Sequence, residues 1–327
     1  MTAASGARGA AGWPALPYDH WQPTLDTLHA HTQVLGKLAA ALAPPEPELQ
    51  HAALRLTARG WETLALPVAA RTGQSAASGP GAGSRAGAIV VALDLHAHQA
   101  VVEHSDGRKA AVALIPDRSV GSVTRQVLAA VEDFVGPVAF NPVPQETPWS
   151  VPLDEDEEHA AYNPQHVANY LAAATSAAQV LAELRAPYRG RSTPVNAWWG
   201  SFDLAVSLFS GREAEPPAAG FIMRNAMDAQ QLAVGWWPGD ARHRGAAFYA
   251  YAHPAPPAYD AGTLDPPASW DATLGEYILD WDDVRATADP HATALHFARS
   301  ASRHGCHLCD WDPVLAASLE GSPPPVS

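Results

Sequence analysis

The sequence predicts an α+β fold: an antiparallel or mixed sheet with helices packed on it, in a single compact domain. Three observations carry that expectation. Helical and strand periodicities are interspersed along the chain. Several strand-like runs are joined by hairpin turns rather than by crossover helices. The 327 residues, 47% of them apolar, show neither an internal repeat nor a composition break that would divide the body.

Residues 1–12 read as a disordered leader and 321–327, "GSPPPVS", as a disordered tail, leaving 13–320 as the folded domain. The first helix is expected from Pro23 to about Leu42, with Leu25, Leu28, Thr32, Leu35, Leu38 and Leu42 as its buried stripe. "ALRLTARGW" (53–61) alternates as one strand. "GQSAASGPGAGSRAG" (73–87) is a flexible Gly/Ser/Ala loop. "AIVVALDL" and "AVVEHSDGRKAAVAL" follow as strands, the second folded at Ser105-Asp106-Gly107. Ser119 caps a helix closed by Gly136-Pro137. The acidic run "DEDEEH" (154–159) leads to a helix capped by Asn163, with Pro164 in its first turn and its end at Pro187. Strands are expected at 195–209, 246–253 and 274–279, and short helices near 290–303 and 311–319.

Twenty Lys and Arg against 34 Asp and Glu give a formal charge of −14. That balance disfavours nucleic acid and anionic membrane surfaces as partners. No window approaches the roughly 18–20 apolar residues of a spanning helix. The N-terminal stretch lacks the apolar core of a signal peptide, and two cysteines cannot make a disulfide framework, so a soluble, cytoplasmic protein is expected. Eleven Trp suggest rings lining a cleft or capping the core. Protein partners are not legible.

Two stretches could carry chemistry. In "TLHAHTQVLGK", His29, Gln33 and Lys37 recur every four residues and form one polar row that could hold an anionic or carbonyl-bearing ligand; the plainer reading is a helix flank. Gly36 inside that helix suggests a close approach by something else. In "NAWWGSFDLAVSLFSGR", parity sends Asn196, Trp198, Phe202 and Leu204 toward the core. It sends Trp199, Ser201, Asp203 and Ser207 to the other face, an aromatic and acidic wall suited to a small-molecule pocket. Asp203 could instead sit in a structural ion pair with Arg212 or Arg59. Gly200 suggests a bulge or a ligand contact. The pairs "HAHT" (29–32) and "HAHQ" (96–99) are weak metal candidates. No dinucleotide fingerprint, phosphate loop or nucleophile elbow is present.

The stretches "WPALPYDHW", "TLH..TQ..GK", "LTARG", "SDGR", "H..YNP", "PV..WWGSFDLAVSLFSGR", "WWPG", "AFYAYAHP" and "LGE" resemble an uncharacterised bacterial family known only as a domain of unknown function. The resemblance runs from Trp13 to Asp312. It implies one domain in a bacterial, cytoplasmic protein and no particular reaction. Members carry Asn-His-Trp-Trp where this chain has Glu48-Leu49-Gln50, His where Asn196 stands, and His-Glu near Ala229-Gln230. Three His and one Glu brought together would resemble a metal or acid–base centre, most of which this chain would have lost.

"RHGCHLCDWD" (303–312) holds both cysteines, Cys306 and Cys309, with His304 and His307 between and before them. One Cys-x-x-Cys is half of a zinc site, and no second half exists in the chain. A redox pair would open a helix after a strand. Small buried thiols are therefore the favoured reading, with zinc or iron held by these four residues as the alternative. Taken together, the expected function is binding of a small polar or anionic metabolite by His29, Gln33, Lys37, Trp199, Ser201 and Asp203, with Arg59 or Arg212 nearby. A metal-assisted enzyme using His29, or a partner-binding protein with a Trp-rich surface, are the other readings.

Overall fold

A computed structural model describes residues 12–69, 86–218 and 220–321. The predicted leader (save Gly12), most of the 73–87 loop and the tail beyond Gly321 lie outside these residues. In chain order the elements are α1 (Tyr18–Leu42), a short 3-10 segment (Pro47–Ala52), β1 (Arg55–Thr57), β2 (Gly60–Glu62), β3 (Leu66–Val68), β4 (Gly87–Asp94), β5 (Gln99–His104) and β6 (Lys109–Ala113). Next come α2 (Val120–Val135), α3 (Pro164–Arg185), β7 (Asn196–Trp198), β8 (Asp203–Glu213), α4 (Phe221–Ala226), β9 (Ala229–Trp237) and β10 (Ala247–His253). The chain closes with β11 (Ser269–Asp271), β12 (Glu276–Asp280), α5 (Trp281–Arg285), α6 (Pro290–Leu308) and α7 (Pro313–Ser318).

Two antiparallel sheets result, so the fold is α+β in one compact domain. The first runs β1-β2-β4-β5-β6, with β3 also paired to β4; the second runs β11-β12-β10-β9-β8-β7. A bridge joins them, in which Leu54 and Ala197 exchange backbone hydrogen bonds of 3.0 and 2.9 Å. α1 and α2 cover the first sheet, and α3 and α6 cover one face of the second. On that face Leu204, Val206, Leu208, Leu232, Val234, Trp236 and Phe248 are fully buried. Each such side chain contributes about 1.5–3 kcal/mol of burial. The opposite face of the second sheet carries no long helix, and the candidate site lies there.

The caps act as the sequence anticipates. Ser119 accepts from the Ser122 N–H, and Asn163 accepts from the N–H groups of Gln165 and His166. α1 differs from expectation, starting at Tyr18 instead of Pro23. Buried Tyr18 and Trp21 anchor the extra turn, and Pro23 that close to the helix start forfeits only one hydrogen bond. The run 53–61 is a hairpin turned at Ala58-Arg59, where Gly60 takes φ +139°. The strand expected over 195–209 is also a hairpin, interrupted at 199–202, where Phe202 adopts φ 58°. β9, near the centre of the second sheet, escapes a periodicity reading because "LAVGWW" is buried on both faces and does not alternate.

Among the described residues, no helix is long and apolar enough to cross a membrane.

Candidate functional site

The uncovered face of the second sheet floors a cavity of about 550 Å³. Its floor is Asp203, Ser207 and Phe209 of β8, Gln231 and Trp237 of β9, and Tyr249 and Tyr251 of β10. Trp198 and Glu276 close two sides. Glu146, from the long connection between α2 and α3, Ile222 and Met223 of α4, and Arg242 form the rim. That volume suits one small organic molecule.

Asp203 is the most enclosed of the charged residues that line the cavity, 4% exposed. The hydroxyls of Ser201 and Tyr249 each donate to one of its carboxylate oxygens. Burial pushes its carboxyl up to about 6, against the pull of those two hydrogen bonds. Burial, with the Asp203 charge adding to it, raises Glu276 to about 8 and Glu146 to about 7. Neither Glu146 nor Glu276 has a hydrogen-bond or ion-pair partner among the described residues, and both carboxyls open into the cavity. Gln231 is 2% exposed and its side-chain amide also makes no hydrogen bond there. The remaining acids are matched: Glu48 by Arg191 at 2.6 Å and Asp240 by Arg242 at 2.6 Å.

Backbone strain gathers around the same cavity. Eight described non-glycine residues have positive φ, and four of them, Glu48, Leu49, Glu146 and Phe202, line or flank it. Such conformations cost of order 1–3 kcal/mol each and concentrate where geometry serves function.

Of the residues singled out by sequence, Ser201, Asp203 and Ser207 reach the cavity. The polar row of α1 lies behind it, as support. The His29 Nε2–H donates to the carbonyls of Trp199 (3.1 Å) and Gly200 (2.9 Å), and its ring stacks on Phe202. Burial lowers its pKa to about 4, so the imidazole is neutral and its donor is already engaged. Gln33 donates to the Gln145 carbonyl (2.8 Å) and accepts from the Gln145 N–H (3.1 Å), fixing the peptide next to Glu146. Lys37 is buried with its ammonium unpartnered, 5.4 Å from the centroid of the Trp199 ring, and burial lowers its pKa to about 8.

Trp199 does not line the cavity. The hairpin turn reverses the parity of a continuous strand, sending Trp198 to the cavity and Trp199 onto α1. There its indole covers Gly36, where a Cβ would fall 2.0 Å from the ring, and donates to the Ala52 carbonyl. Gly200 is likewise a close approach within the protein, since a Cβ would meet Ile222 and the Glu146 carboxylate. Arg59 is remote, paired with Glu62 and Glu103 on the first sheet. Arg212 caps the end of α6 through the carbonyls of Cys309 and Asp310, so neither arginine pairs with Asp203.

The cysteines occupy the last turn of α6 as buried free thiols, and burial pushes Cys306 up to about 12. His304 hydrogen-bonds the Tyr259 carbonyl, and His307 faces outward. Among the described residues, no three His, Cys, Asp or Glu are grouped to hold a metal ion. None of the eleven Trp is exposed.

Sequence reasoning missed Glu146, Gln231, Tyr249, Tyr251 and Glu276. The aromatic alternation in "AFYAYAH" could have marked Tyr249 and Tyr251 as one face of a strand. Glu146 sits in a stretch without periodicity and carries no such signal. Gln50 accepts from the Asn196 amide (3.2 Å), Glu48 and Gln50 line the cavity, and Ala229 shares a shallow groove with Glu48.

The search of curated proteins and the search of solved structures returned no match. The family model described as "Family of unknown function (DUF5996)" matches residues 13–318, and the chain belongs to that family.

Proposed function

We propose that the protein binds a small polar molecule in the cavity on the uncovered face of the second sheet. The observation that supports this best is the set of polar groups aimed into that space without protein partners: Glu146, Glu276 and the buried amide of Gln231. For Gln231, the buried member of the set, an unpaired amide costs about 1–3 kcal/mol, which a ligand or ordered water would recover; Glu276 is half-buried and Glu146 is exposed at the rim. Aromatic side chains at Trp198, Trp237, Tyr249 and Tyr251 supply apolar area around those polar points, the usual composition of a small-molecule site. His29 and Gln33 act as positioning residues in this reading: each holds a backbone segment that presents a cavity side chain.

The test is a thermal-shift screen of polar metabolites against the wild-type protein and Ser207→Phe, whose added ring would fill the floor. Stabilisation of the wild type alone supports the reading. A ligand that stabilises both equally, or no ligand across amines, polyols and carboxylates, counts against it.

A second reading, an acid–base enzyme, has one observation behind it. Asp203 at about 6, Glu146 at about 7 and Glu276 at about 8 bracket neutrality, the range in which a carboxyl can both give and take a proton. Turnover of a bound ligand, abolished in Asp203→Asn with binding retained, would favour it.

A further inference from the structure

Resting on the reading that this cavity is a ligand site, we infer that its ligand is an organic amine carried as a cation, with nitrogens spaced to meet separate carboxyls. The argument begins with charge. Five acids line the cavity (Glu48, Glu146, Asp203, Asp240 and Glu276), and the two guanidiniums near them are spent on Glu48 and Asp240. Asp203, Glu146 and Glu276 make no ion pair among the described residues; Arg242, whose charge acts on Glu146 and Glu276, is bound to Asp240. Three carboxyls around one enclosed space repel each other's ionised forms. An anionic ligand would add to that repulsion; a protonated amine would relieve it.

Geometry narrows the class further. The acids come from separate walls: Asp203 from β8, Glu276 from β12 two strands beyond β9, and Glu146 from the rim above. They do not converge to hold a metal ion. A single small inorganic cation could therefore satisfy only part of the set, whereas an extended organic cation reaches several of them. The walls between the acids suit the rest of such a molecule. Tyr249 and Tyr251 stack parallel at 6.1 Å between centroids, and Trp237 packs edge-on against Tyr249. Aromatic faces attract alkylammonium groups. Gln231, 2% exposed and unpartnered, adds an independent polar point aimed into the same space: its amide oxygen can accept from an ammonium N–H.

The experiment is calorimetric titration of the full chain with three isosteric probes: 1,4-diaminobutane, 1,4-butanediol and succinate. Spermidine and butylamine test the number of nitrogens. Titrations in two buffers of different ionisation enthalpy count protons. The groups that face the ligand and could titrate are Asp203, Glu146 and Glu276, with Asp240, Arg242, Tyr249 and Tyr251 around them. Binding of the diamine or spermidine at least tenfold tighter than butanediol and succinate, with proton release near pH 7 and loss in Ser207→Phe, supports the inference. A double variant, Glu146→Gln/Glu276→Gln, leaves Asp203 and its two hydroxyl partners in place and should lower amine affinity at least tenfold.

Butanediol or succinate binding as well as the amines would overturn the cationic class while leaving a ligand site standing. Failure of all three amines to bind at millimolar concentration would overturn it as well. Amine binding unchanged in both Ser207→Phe and the double variant would place the amine elsewhere and overturn the site itself.

Discussion

Asp203→Asn tests the electrostatics of the site through stability alone. An ordinary Asp titrates near 3.8, and Asp203 is pushed up to about 6. The folded protein therefore holds this proton more tightly than the unfolded chain does. The stabilisation is complete below the unfolded value and is lost as pH rises through the folded one. Each tenfold difference in proton affinity between the two states is worth about 1.36 kcal/mol, so the ionised, buried carboxylate weakens the fold at pH 8 by about 3 kcal/mol relative to strong acid, about 2–2.5 of it between pH 4 and 8. Asn cannot ionise, so that part of the pH dependence disappears in the variant. Removing the negative charge also lets Glu146 and Glu276 ionise more easily, since the Asp203 charge helps to raise both. At pH 4 the two proteins should differ by about 1 kcal/mol or less, from changed hydrogen bonds to Ser201 and Tyr249. At pH 8 the variant should have gained about 2–2.5 kcal/mol on the wild type, a relative rise in Tm of about 4 °C for a chain of this size. Denaturant unfolding at pH 4, 6 and 8 measures it. Parallel stability-against-pH curves for the two proteins would refute the reasoning, because they would mean that Asp203 titrates alike in both states.

Three further outcomes follow from the same contacts. Gly36→Ala, which helix propensity alone would make stabilising by about 1 kcal/mol, should instead destabilise the fold by about 1–3 kcal/mol or more because its methyl meets the Trp199 ring; unchanged or raised denaturant midpoints would contradict that packing. Gln33→Leu removes both hydrogen bonds to Gln145 and should cost about 1–2 kcal/mol, with faster hydrogen exchange at the Gln145 amide as its local signature. Cys306 and Cys309 should resist alkylation at pH 7.5 in the folded protein and react once it is unfolded, since burial disfavours both thiolates; rapid native labelling would overturn the buried-thiol reading.

Much of the fold was legible where the chain carries local signals. Ser119, Asn163 with Pro164, and Ser105-Asp106-Gly107 each encode a cap or a turn that neighbouring residues settle by themselves. β9 was not legible, because a strand buried on both faces loses the alternation that identifies it. The site was half legible for a related reason. Asp203 and Ser207 were assigned to the cavity face by parity, but the parity rule put Trp199 beside them and Trp198 in the core. The left-handed residue Phe202 ends that count, and nothing in its side chain announces a positive φ. The row His29, Gln33, Lys37 is visible as a helical spacing. Its partners, Gly200 and Gln145, are 171 and 112 residues away, beyond the reach of any local pattern.

The Gln33 contact has a consequence for how the chain can vary. Its carboxamide meets the Gln145 peptide as a neighbouring strand would, giving one N–H and taking one C=O. One side chain thereby holds the middle of a 28-residue connection, 136–163, that has no helix or strand of its own; its later part is held separately, by bonds from the Asp117, Val120 and Gly121 amides to the Ala160, His159 and Asp156 carbonyls. A single insertion at 144–146 shifts Glu146 off the rim while Gln33 still grips whichever peptide arrives. The acidity of the cavity rim thus depends on which residue follows the peptide that Gln33 holds.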